Sequence, residues 1–511
     1  MTEMRLLQRS AQPWKPDEEQ FGAVKRLIEN AVQALLLDPG AGKTSISLAA
    51  FVHLKKKGVA QKALVIAPLR PCYLVWPAEV DKWQQFEHLT YTVLHGNDKE
   101  LRLEDDVDLY IINPEGLNWL FGVETFTKKS GKKGVRLNLE RFLKIGIDTL
   151  IVDELTKFAE IGSNRSQMMD AVIQFFQRRW GLTGSPAANG LMKLFGQIRT
   201  LDEGSTFGRF ITNFRTKFFK QHPFKAFQWD IKTLEKDGFD GEKAIYEAIK
   251  PLAYRVEMKN SKTPVGIPLR VDVEMPEKAK KLYKMVEDDM FALLDFKETG
   301  KKRKDVIPIT AANAGVALGK CRQIASGAVY PDKGFDVKGF TTVSGSRPYV
   351  MVHDAKMDAL AERLDEMQGQ PYLLGYEFQH DLDRILKRWP KTPYFTSDMA
   401  EAKKLEAKWN AGDVPLLLGH PQSIGHGLNL QQSSRHVGWF SQTWDYELYD
   451  QFIRRVMRRG NPFSKVYIDH FITLGTVDEL IYQVSSIKGT KAGGQQRLFD
   501  ALKVEKRRRS K

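Results

Sequence analysis

The string LLLDPGAGKT, closing on Lys43 and Thr44, joins an apolar run directly to a glycine turn, a lysine and a hydroxyl. Those residue types in that order suit the binding of a phosphate chain. Gly40, Ala41 and Gly42 let the backbone curl so that successive N–H groups face phosphate oxygens, and a helix opening near Lys43 turns its positive dipole end toward the same anion. Lys43 can then reach β- and γ-phosphates while the Thr44 hydroxyl completes a Mg²⁺ shell, so the string reads as a nucleoside-triphosphate loop. Leu37 stands where the strict G-x-x-x-x-G-K-[ST] pattern has its first glycine.

A second string, TLIVDE, sets Asp153 and Glu154 at the end of the apolar run Thr149 to Val152. A buried parallel strand delivers such carboxylates to the C-terminal edge of its sheet. There Asp153 can hold the hydration shell of Mg²⁺, and Glu154 can orient or deprotonate an attacking water. Together the two strings predict a site for hydrolysis of a nucleoside triphosphate.

Elements with the spacing to position these strings follow in sequence. Strand-like runs are expected at Ala34 to Asp38, Lys62 to Pro68, Thr90 to Gly96, Asp108 to Pro114, Thr149 to Glu154 and Arg179 to Gly184, separated by helical stretches. Such alternation predicts a parallel sheet covered on both faces. From about Glu203 to Tyr349 the pattern turns helical, polar and basic, broken by KTPVGIPL and KETGKKRK. A second alternation then places strands at Tyr372 to Phe378, Val414 to Leu418, His436 to Phe440 and Val466 to Phe471. The expected domains are therefore an ATP-binding lobe over 1–205, a helical basic insertion over 206–349, a second lobe over 350–490 and a basic tail over 491–511.

A chain of 511 residues exceeds one ordinary core. Its two cysteines, Cys72 and Cys321, exclude a disulfide framework and a cysteine-cluster metal site. No apolar run approaches the length of a membrane span, so a cytoplasmic protein with no membrane partner is expected. The formal charge of +15 favours a polyanionic partner, nucleic acid above all. Dense basic runs occur at 128–133, 297–304 and 503–511. Trp76, Trp83, Trp119, Trp439 and Trp444 could stack on bases, but their apolar surroundings favour core packing.

The joint order of motifs resembles a helicase-type ATPase of superfamily two, in its Swi/Snf-like branch with phage or prophage relatives. WKPDEEQ is similar to the upstream glutamine motif, LVIAPLRPCYLVWPAEVDKW to the motif after the phosphate loop, DELTKF to the Asp-Glu motif and LTGSPAANGLMKLFGQ to the lobe-coupling motif. SIGHGLNLQ and QFIRRVMRRGN resemble the last two motifs. DELT replaces the more familiar Asp-Glu-Ala-His.

The resemblance implies an α/β fold of two RecA-like P-loop lobes, each a mostly parallel sheet flanked by helices, with a helical insertion between them. It implies Gln20 as an adenine reader, Gly427 and Gln451 as nucleotide-binding residues, and Arg455 and Arg458 as arginines acting on the γ-phosphate. Three apart, Arg455 and Arg458 would share one face of a helix. Arg454 and Arg459 are expected to be solvated or paired with backbone, and His426 to be structural or a contact to a DNA phosphate. Thr183, Ser185 and Pro186 would transmit changes between lobes. The implied cofactors are ATP and Mg²⁺, and the implied activity is that of a monomer-competent translocase or helicase on duplex or branched DNA. An RNA-directed ATPase, and a nucleic-acid clamp with an ATP switch and negligible turnover, are the alternatives.

Overall fold

The computed structural model describes residues 12–38, 40–127, 133–184, 187, 190–221, 229–234, 238–255, 263–299, 314–331, 341–343, 347–396, 398–424 and 427–486. The chain forms two compact units, 1–261 and 262–511.

In the first unit, seven strands build one sheet: β1 (Val32–Leu36), β2 (Ala63–Ile66), β3 (Tyr91–Val93), β4 (Leu109–Ile112), β5 (Thr149–Asp153), β6 (Arg178–Thr183) and β7 (Ala253–Arg255). Their order is β7-β1-β6-β5-β2-β4-β3, and every pair is parallel. Because successive residues of a strand face opposite ways, both faces must be apolar. Leu36, Leu64, Ile66, Leu150 and Val152 pack into a core on one side. Leu35, Val65, Ile151 and Leu182 pack into a second core on the other.

The second unit carries five parallel strands: β8 (Val265–Val273), β9 (Tyr372–Gly375), β10 (Leu416–Gly419), β11 (His436–Trp439) and β12 (Lys465–Thr473). Their order is β8-β12-β11-β9-β10. Tyr372, Leu374, Leu416, Leu418, Phe440 and Phe471 form its main core. Two mostly parallel sheets flanked by helices is the architecture expected of two RecA-like lobes.

All ten strands expected from the two alternations are present. The stretch 206–349 is divided between the units at 261. Its helices Ile211–Phe218 and Gly241–Ile249 precede the division, while Glu277–Thr299 and Ala314–Ser326 follow it. The reason lies in strand pairing. Ala253–Arg255 aligns with Ala34–Leu36 as an edge of the first sheet, and Val265–Val273 aligns with Lys465–Thr473 as an edge of the second. Among the described residues no helix is long and apolar enough to cross a membrane. Cys72 and Cys321 are buried free thiols. The tail 491–511 and the runs 128–132 and 300–304 lie outside the described residues.

Candidate nucleotide site

β1 delivers the chain to the C-terminal edge of the first sheet, and the loop that follows is shaped by its glycines. Gly40 and Gly42 both have positive φ, 87° and 81°, a conformation that costs other L-residues free energy. Gly42 then caps helix α2 (Lys43–Lys56), following helix α1 (Glu18–Glu29) in the chain. No acidic residue occupies the first turn of α2. Its exposed N–H groups and dipole are left to an anion.

Gln20 ties this loop to α1. Its side-chain amide N–H donates to the Ala41 carbonyl at 3.0 Å, and its amide oxygen accepts from the Asp17 N–H at 3.1 Å as half of a capping box. A Cβ on Gly42 would sit 2.7 Å from that Gln20 nitrogen, so two constraints hold Gly42 in place. The Lys43 ammonium donates to the Leu37 and Asp38 carbonyls at 2.9 and 3.2 Å. Thr44 is half-buried and adjoins it on α2.

β5 ends one strand away from β1 across β6. Leu36 aligns with Thr183, and Leu182 with Asp153, so loop, Thr183 and acid share one edge. Burial pushes the Asp153 carboxyl up to about 6 and the neighbouring Glu154 charge adds to it, against the pull of the Trp76 indole N–H and of the Lys43 charge. The loop that bears Lys43 and the strand end that bears Asp153 thus share one sheet edge. Glu154 adopts a left-handed backbone with φ of 68°, unusual for a residue with a side chain, and its carboxylate accepts from the Thr156 hydroxyl at 3.2 Å. Thr183 is fully buried, and its hydroxyl has no hydrogen-bond partner among the described residues. Ser185 and Pro186 lie outside the described residues.

Of the five tryptophans that sequence reasoning assigns to core packing, Trp76 and Trp439 are fully buried, and Trp83, Trp119 and Trp444 are partly buried against the cores. That reasoning missed that the Trp76 indole N–H donates to Asp153 Oδ2 at 3.0 Å. The signal available was that Trp76 opens the second helix after β2, the strand beside β5. Oxygen donors alone, the Thr44 hydroxyl and the Asp153 carboxylate, suit a hard cation such as Mg²⁺. No group of three His, Cys, Asp or Glu residues able to hold a metal occurs among the described residues.

The second unit gathers the other candidates. Helix α3 (Tyr446–Ile453) carries Gln451, whose amide N–H donates to Glu447 at 3.1 Å. This helix ends before the arginines, so Arg455 and Arg458 do not share a helical face as expected. The Arg455 N–H closes a tight turn on Phe452, and the Asn461 N–H closes another on Arg458 that contains Gly460 and precedes Pro462, neither of which continues a helix. The arginines nonetheless converge on one loop. Arg455 donates to the Leu428 carbonyl at 3.3 Å and Arg458 to Asn429 Oδ1 at 2.6 Å. That loop leaves Gly427, which has φ of 79°. Glu406 joins them by accepting from the Asn429 N–H at 2.7 Å. Arg454 pairs with the Asp450 carboxylate at 2.7 Å, an ion pair four residues apart. Gly425 and His426 lie outside the described residues.

Residues 24–318 match the family model of the SNF2-related domain. The putative protein p41 of Acyrthosiphon pisum secondary endosymbiont phage 1 is 30% identical over 485 residues, covering 91% of this chain and 93% of that protein. Protein CHROMATIN REMODELING 20 of Arabidopsis thaliana is 28% identical over 229 residues, 43% of this chain and 15% of that protein. Among solved structures, the Sulfolobus solfataricus SWI2/SNF2 ATPase core in complex with dsDNA is 20% identical with a TM-score of 0.40, covering 98% of each chain. The same organism's ATPase core domain is 20% identical with a TM-score of 0.39, covering 96% of this chain and 92% of that one. With the family model spanning more than half of its length and the phage relative nearly all of it, the chain belongs to the SNF2-related family of ATPases.

Proposed function

We propose that this ATPase is a DNA translocase that couples ATP hydrolysis to movement on duplex or branched DNA. The observation that carries the reading is one sheet edge that bears Lys43 on the loop after β1 and Asp153 and Glu154 at the end of β5. That is the set of charges phosphoryl transfer requires: a cation for the β- and γ-phosphates, a carboxylate for the metal shell and a second carboxylate for water.

In this reading the N–H groups of Gly40, Ala41 and Gly42 cradle the phosphates and Lys43 neutralises them. Thr44, and Asp153 through water, would hold Mg²⁺, which would supply further positive charge. Glu154 takes the proton of the attacking water. Gln20 keeps one amide hydrogen on Ala41 and offers the other to adenine. Arg455 and Arg458, supported by Gln451 and the Gly427 turn, stabilise the charge that develops on the γ-phosphate, a role worth about 10³ to 10⁵ in rate. The partner is DNA on two grounds, the Swi/Snf-like motif order and the net charge of +15.

Displacement of a third strand from a triplex tests movement directly. The proposal expects ATP-dependent displacement by the native chain and none by Lys43→Ala. Hydrolysis without displacement on any duplex would replace the motor with a clamp whose ATP site acts only as a switch.

A further inference from the structure

The short helix Trp76–Lys82 touches both halves of the proposed cation site. Trp76 and Glu79 are three residues apart on it and so lie on one face. Trp76 is fully buried, and its indole N–H holds Asp153 Oδ2 at 3.0 Å. Glu79 Oε2 accepts from the Ser45 hydroxyl at 2.5 Å, and the Trp83 indole N–H donates to the same oxygen at 2.7 Å. Ser45 directly follows Thr44 in the first turn of α2. One rigid element therefore grips the strand end that carries Asp153 and the helical turn that carries Thr44.

We propose that this helix fixes the separation between Thr44 and Asp153, with Trp76 the positioning residue for the carboxylate and Glu79 the positioning residue for the turn. The inference rests on the reading of Thr44 and Asp153 as the Mg²⁺ side of the site. Mg²⁺ demands near-ideal octahedral geometry with short bonds, whereas Ca²⁺ accepts longer and irregular shells. A carboxylate released from its indole partner should therefore lose Mg²⁺ more than Ca²⁺. Removing an outer partner of a metal ligand typically weakens the metal by about 10- to 100-fold.

The experiment is binding of a fluorescent ADP analogue to the full chain, titrated with Mg²⁺, with Ca²⁺ and in chelator. Trp76→Phe keeps an aromatic ring, smaller than the indole, and removes the donor. It should bind nucleotide in chelator within about twofold of the native chain, raise the Mg²⁺ midpoint about tenfold or more, and raise the Ca²⁺ midpoint less. Glu79→Ala should shift the Mg²⁺ midpoint in the same direction. A native Mg²⁺ midpoint in Trp76→Phe overturns the proposal, as does an equal loss of nucleotide with and without metal. Should Trp76→Phe not fold, a native midpoint in Glu79→Ala overturns it instead. Asp153→Asn separates the two readings. If Asp153→Asn keeps the native Mg²⁺ response, the Mg²⁺ assignment itself fails; if it loses that response while both helix variants keep it, only the positioning role fails.

Discussion

The Lys43 ammonium donates to the carbonyl of Leu37 at 2.9 Å, so the loop holds its own cation on backbone oxygen where a phosphate chain would take it over. Exchange of a carbonyl for an anionic oxygen strengthens that bond, because the donor is already ionised and an ionised acceptor adds the attraction of opposite charges. Lys43→Ala should lower ATP hydrolysis by about a hundredfold or more while DNA binding in a filter or anisotropy assay stays near native. Native turnover in that variant would remove the phosphate-loop assignment.

Glu154 sits in the left-handed region, a conformation costing on the order of 1–3 kcal/mol, at the position assigned to water activation. Glycine adopts that backbone without strain. Glu154→Gly should therefore melt no lower than the native chain while its hydrolysis collapses, and Glu154→Gln should retain ATP yet turn over slowly. Calorimetry and a phosphate-release assay read the two effects separately. A large drop in melting temperature would mean that Glu154 serves the fold.

Gly42 is constrained twice, by φ of 81° and by Gln20. Gly42→Ala should lose nucleotide affinity and destabilise the first unit by about 1–2 kcal/mol. Adding Gln20→Ala removes the close contact but not the backbone strain, so the double variant should regain only part of the stability. Full recovery would assign the whole effect to the side-chain contact.

Arg455 and Arg458 lean on the loop after Gly427 without forming one helical face. Each arginine-to-alanine change should reduce turnover by about 10³-fold or more and alter nucleotide affinity far less, because such groups act on charge that appears in the transition state. Parallel measurement of Kd and kcat decides it. Equal losses would make them ground-state binders.

Acid should weaken the second unit through its buried histidines. Burial, reinforced by Arg384, holds His353 down to about 4, and burial holds His470 down to about 3. Both stay neutral when folded and titrate near 6.5 when unfolded. As pH falls below 6.5 the unfolded chain takes up protons that the folded unit refuses, so stability falls, and the loss levels off only below the folded values. At pH 5 the cost is on the order of 2 kcal/mol per histidine. His353→Gln keeps a donor for the Ile324 carbonyl, and should show a smaller drop in stability between pH 7 and pH 5 than the native chain. An unchanged pH slope would contradict the assignment.

Buried parallel strands were legible because their apolar runs are continuous, and the ends of β1 and β5 carried the site residues with them. Edge strands were not. Val265–Val273 contains Pro268, which cannot donate to a ladder and is tolerated at an edge. Its segment reads in sequence as a breaker. Ala253–Arg255 is only three residues long. In the candidate site, residue types nominated Lys43, Thr44, Asp153 and Glu154, which the fold sets at one sheet edge. The Trp76 contact escaped because a tryptophan in an apolar run looks the same whether its N–H meets a carboxylate or a backbone carbonyl. The turn at Arg455 escaped for another reason: spacing of three fits both a helix and successive tight turns.

The central claim is that this ATPase responds to DNA, and steady-state phosphate release measured in parallel without polynucleotide and with single-stranded DNA, duplex DNA, forked DNA and RNA tests it most directly. The account predicts a low rate alone, strong stimulation by duplex or forked DNA, and loss of that stimulation in Lys43→Ala. A rate that is the same with every polynucleotide and without any, or that rises with RNA alone, would contradict it.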